Sequence, residues 1–127
     1  MTHEEFEALV GEIGFSSVPE RFRVELSNVA LTVEDEPDSS VRAEFDLGDE
    51  DTLLGLYQGI PHTERGVDYA ALPDKIIIYR LPTLEAAEED RLPVRKIIED
   101  TIWHEVAHHF GLSEHDVERR ERERGVL

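Results

Sequence analysis

The stretch from Pro93 to Gly111 holds no helix breaker between its ends, and it constrains the fold more than any other part of the chain. Pro93 suits the first turn of a helix, where a missing amide costs nothing, and Gly111 suits the end. Val94, Ile97, Ile98 and Ile102 recur at helical spacing and form one apolar stripe. His104, Glu105 and His108 continue that stripe, while Trp103, Ala107 and Phe110 cover much of the opposite face. A helix whose second half is apolar nearly all round runs into the interior rather than along the surface. Two histidines and a glutamate placed there need partners, because buried polar groups without them are costly.

These three residues form the pattern His-Glu-x-x-His. Residues four apart on a helix differ by only about 40° in direction and lie one turn apart. His104 and His108 are therefore candidate ligands of a single metal ion, and Glu105 is the candidate general base for a metal-bound water. The five-residue pattern alone is a weak signal. It gains weight from a helix predicted independently of it and from Gly111, where the chain must turn to come back to the ion. With no cysteine in the chain, a zinc site must be built from imidazole and carboxylate, and disulfides are excluded. Catalytic zinc usually takes three protein ligands plus water. The extended spacing His-Glu-x-x-His-x-x-Gly-x-x-His puts the third at position 114, which is Glu114, with Asp116 and then His115 as alternatives. One Zn2+ ion is the expected cofactor, and such a donor set also binds other divalent ions.

The remaining segments predict an α+β class in one domain over residues 1–127. Phe6, Leu9, Val10 and Ile13 read as an amphipathic helix that Thr2 caps and Gly14 ends. Phe22, Val24 and Leu26 belong to a second short helix after Pro19, and residues 28–33 form a strand. The acidic segment from Glu34 to Ser40 reads as a surface loop. Residues 53–57 and 75–79 are further strands, the last stopped by Pro82 and serving as a candidate edge for an extended peptide. Ser113, with Asp116 three residues on, opens a final charged helix.

The formal net charge of −17 argues against nucleic-acid and anionic-membrane partners, since both need a basic footprint. No stretch approaches the roughly 18 apolar residues of a membrane span, and the amino terminus lacks a signal peptide's basic and apolar regions. A cytoplasmic protein is expected, with peptide or unfolded protein as substrate and nothing that calls for more than a monomer.

Beyond the helix, the chain resembles the bacterial minimal zincin-like metallopeptidase family in three more segments. These are Asn28-Val-Ala-Leu-Thr-Val-Glu-Asp-Glu-Pro37, Leu54-Gly-Leu-Tyr-Gln-Gly-Ile-Pro-His-Thr-Glu-Arg65 and Leu72-Pro-Asp-Lys-Ile-Ile-Ile-Tyr-Arg80. With His104 to Gly111 the likeness spans nearly the whole chain. It implies a compact zincin-like domain, a small mixed sheet packed on an active-site helix with flanking helices. It implies a zinc metallopeptidase, and an acidic residue at the place of Glu114, where aspartate is usual. No particular substrate follows from it.

Tyr57, Tyr79, His62 and Arg65 lie in the resembling segments as candidate oxyanion donors, none singled out by spacing. His109 falls between Ile98 and Ile102 on the wheel and is expected to be a satisfied core histidine. Two other functions compete. A catalytically silent zinc-binding protein needs no base, so Glu105 speaks against it. A metal-dependent RNA hydrolase shares the spacing of His104, His108 and Gly111, and Glu114, Glu105 and the −17 charge speak against it.

Overall fold

The structure is a computed structural model that describes residues 1–59 and 74–111. Its first helix, α1 (His3–Ile13), starts where Thr2 and Glu5 form a reciprocal capping box. Thr2 Oγ1 accepts the Glu5 amide at 3.1 Å, and Glu5 Oε1 accepts the Thr2 amide at 2.9 Å. Phe6, Val10 and Ile13 face inward, and Gly14 ends the helix at φ 51, a conformation that suits glycine. A short α2 (Glu20–Arg23) follows, then β1 (Val29–Glu34), α3 (Ser39–Glu44), β2 (Gly55–Gln58), β3 (Asp74–Tyr79), α4 (Arg80–Asp90) and α5 (Val94–His109).

The sheet order is β1-β3-β2, with β1 parallel and β2 antiparallel to β3. This overturns the expectation that residues 75–79 form an edge. The run Ile76-Ile77-Ile78-Tyr79 is buried along its whole length because it is the middle strand and is covered on both faces. Ile76 and Ile78 join Phe6, Val10, Ile98, Ile102, Trp103 and Val106 in the main core. Ile77 and Tyr79 point the other way and pack with Val41 and Leu56 in a smaller one. Among the described residues, the outer strands are β1 and β2.

Two helices stand where the sequence promised none. The acidic segment is a loop only as far as Asp38, whose carboxylate accepts the Val41 amide at 2.9 Å and caps α3. Pro82 does end the strand, but it also sits in the first turn of α4, where its missing N–H has no helical acceptor. No described helix is long and apolar enough to cross a membrane. The mixed α+β architecture is as expected, with a three-stranded sheet flanked by helices among the described residues.

Candidate metal centre

Helix α5 delivers the three residues of the motif. Its first turns bury Ile97, Ile98, Thr101, Ile102 and Trp103, and Val106 and Ala107 are buried further along. His104 and Glu105 are half-buried at the margin of this packing, and His108 is exposed. The helix therefore carries its polar face out of the core, instead of ending inside it as the wheel suggested. Gly111 leaves the helix at φ 75, and its amide donates to His108 O at 3.0 Å.

His104 Nδ1 lies 2.8 Å from the carbonyl oxygen of Asp100, one turn back. A carbonyl can only accept, so Nδ1 carries a proton. This backbone contact prepares a histidine for a metal. The His108 ring lies with its centroid 6.3 Å from that of His104, at 76° to it. The two imidazoles suit a divalent ion in chemistry and in placement along one face. Glu114, Asp116 and His115 lie outside the described residues, and among the described residues no group of three metal-binding side chains converges.

Glu105 is held by the neighbouring strand. Its Oε1 accepts the backbone amide of Tyr57 at 3.0 Å, while Oε2 stands 4.0 Å from His108 Nδ1. Burial raises the carboxyl pKa above its ordinary value, and the Tyr57 amide, His108 and His104 pull the other way.

Tyr57 also reaches α5 with its ring. The phenol donates to Asp74 Oδ2 at 3.0 Å and lies 3.4 Å from His109 Nε2, and the ring stacks on His109. His109 is thus exposed rather than a core residue, because the last turn of α5 has passed beyond the packing around Ile98 and Ile102. Of the other oxyanion candidates, Tyr79 is fully buried on the far face of the sheet. Its burial and nearby carboxylates push its pKa up to about 12. His62 and Arg65 lie outside the described residues.

Sequence reading missed Asp74 and Gly55, which meet the site only through the sheet. The one available signal was a glycine inside an apolar strand, which marks a close backbone approach. A cavity of about 360 Å3 is lined by Leu54, Asp90, Leu92, Ile97, Asp100, Thr101 and His104.

Comparison with known proteins bears on the family and the fold. A conserved hypothetical protein from Thermo thermophilus has a similar structure, with a TM-score of 0.56 and 28% sequence identity. The match covers 86% of this chain and 94% of that one. No curated protein matches. The model of the family described as zincin-like metallopeptidase matches residues 26–124, which include the whole sheet and α5. On that match, the chain belongs to the zincin-like metallopeptidase family.

Proposed function

We propose that this chain is a zinc-dependent peptidase in which His104 and His108 hold the ion and Glu105 is the general base. Glu114 is the proposed third ligand, with Asp116 and His115 as the alternatives. The observation that carries the reading is the contact of His104 Nδ1 with the Asp100 carbonyl, a backbone bond of the kind that orients metal-binding histidines.

His104 and His108 would hold a divalent ion, which would supply Lewis acidity: activation of water near neutral pH and polarisation of a carbonyl. The chain's own part is to place and move a proton. Glu105 takes it at Oε2, the oxygen that faces His108, and passes it to the leaving amine nitrogen. Partial burial favours that exchange, because a carboxylate with a raised pKa holds a proton more readily near neutral pH. The cavity beside His104 suits an apolar side chain of the substrate.

Elemental analysis of the purified native chain, His104→Ala and Glu105→Gln tests this. Near-stoichiometric zinc is expected in the native chain and Glu105→Gln and not in His104→Ala. Hydrolysis of short or unfolded peptides is expected from the native chain alone. Zinc retained with no hydrolysis of any peptide would instead mark a silent, metal-stapled domain. A native chain that cannot be loaded with zinc sinks the proposal.

A further inference from the structure

We propose that Gly55 and the amide of Tyr57 are positioning elements of this site. The bare backbone at Gly55 lets the outer edge of β2 approach α5, and the Tyr57 amide then anchors one oxygen of Glu105 while the other faces His108. The functional half of this inference rests on the peptidase reading; its structural half does not.

The parity of the sheet supplies the first step. The Tyr79 amide donates to Leu54 O at 2.9 Å, and Leu56 and Gln58 stand opposite Ile77 and Lys75. Residues 54, 56 and 58 therefore turn their main-chain groups toward β3, and Gly55 and Tyr57 turn theirs outward. An outward amide on an outer strand ordinarily meets water or another strand. At Tyr57 it meets a carboxylate from the catalytic helix at 3.0 Å. The bond is charge-assisted when Glu105 is ionised.

A helix side chain reaches over a strand edge in this way only when the two elements run close together. A Cβ placed on Gly55 would lie 2.6 Å from Thr101 Cγ2 and 3.0 Å from Ile77 O. The φ of Gly55 is outside the left-handed range, so space and not backbone freedom requires the glycine. Thr101 is one helical turn before Glu105, on the same face. Its hydroxyl donates back to Ile97 O at 2.7 Å, which pins the rotamer and leaves the methyl against Gly55. The contact at Thr101 thus sets how far the Tyr57 amide stands from the base one turn along.

The anchor matters because a carboxylate on a glutamate stem has several rotamers, and only some put an oxygen beside His108. With Oε1 held, Oε2 is oriented in advance, and misplacement by an ångström is costly in rate.

Amide NMR on the metal-free chain tests this directly. Glu105→Gln is expected to move the Tyr57 amide resonance upfield, because the bond loses its charge. Gly55→Ala is expected to move the same resonance in the same direction. Gly55→Ala with Thr101→Ser removes the clashing methyl but keeps the hydroxyl, and part of the shift is expected to return. Zinc affinity is expected to be unchanged in Gly55→Ala, since both imidazoles are intact. On a peptide that the native chain hydrolyses, kcat is expected to fall on the order of ten- to a hundredfold with KM little changed. A Tyr57 amide indifferent to Glu105→Gln overturns the proposal even if Gly55→Ala does not fold. A response to Glu105→Gln without one to Gly55→Ala overturns the role of Gly55. If the amide responds as expected but the native chain binds no zinc, the anchor is supported and the peptidase reading fails.

Discussion

The imidazole of His109 lies flat on the ring of Tyr57, with centroids 4.1 Å apart and planes 11° from parallel. The pair fastens the last turn of α5 to the outer strand of the sheet, immediately after the second candidate ligand. Asp74, at the start of β3, accepts the Tyr57 hydroxyl and completes the clasp. Tyr57→Phe is expected to keep the stack and lose the bond to Asp74, at a cost of about 1–2 kcal/mol. Tyr57→Ala also loses the ring contact, worth about 0.5–1.5 kcal/mol beyond the area it buries. Urea unfolding of the two variants checks the order, and equal losses would show that the stack contributes nothing.

Metal is expected to stabilise the fold by mass action. Free zinc at a hundred times its dissociation constant adds about 2.7 kcal/mol, and removal by a chelator reverses the gain. Thermal unfolding with and without zinc reads this, and His104→Ala is expected to show no zinc-dependent rise.

Near the amino terminus, Asp35 Oδ1 receives both Arg80 Nε, at 2.8 Å, and His3 Nδ1, at 3.0 Å. Arg80 and then His3 hold the Asp35 pKa down at about 2, and the same carboxylate raises that of His3 above its ordinary 6.5. A lowered carboxyl stabilises above its ordinary 3.8 and loses that effect as pH falls through about 2. A raised histidine stabilises below 6.5 and loses it as pH rises through the raised value. The tether of α1 is therefore expected to be tightest between these limits. Amide exchange across α1 as a function of pH measures it. His3→Ala is expected to remove the alkaline limb and leave the acid one.

Trp103 is fully buried, with its ring centroid 5.7 Å from that of Phe22, and it lies directly before His104. Trp103→Ala is expected to cost about 3–5 kcal/mol, through lost burial and the cavity left behind. Chemical denaturation checks this, and a loss below about 1 kcal/mol would mean that the core around α5 collapses readily.

What could be read in the sequence was what depends on neighbours along the chain. The Thr2 cap, the helix after Pro93, the turn at Gly111 and the three strands all follow from spacing and local hydrogen bonding. So does the placing of His104, Glu105 and His108 on one helix, because four residues make nearly one turn. Tertiary structure alone decided that Lys75 to Tyr79 is the middle of the sheet, since an unbroken apolar run reads the same until its neighbours are known. It also decided that His109 leaves the core to meet Tyr57, and that Glu105 is tied to a strand 48 residues away in sequence. Helical periodicity gives the direction of a side chain but not where along the helix the packing ends. The contact that holds the proposed base, the bond from the Tyr57 amide to Glu105, is therefore one between elements.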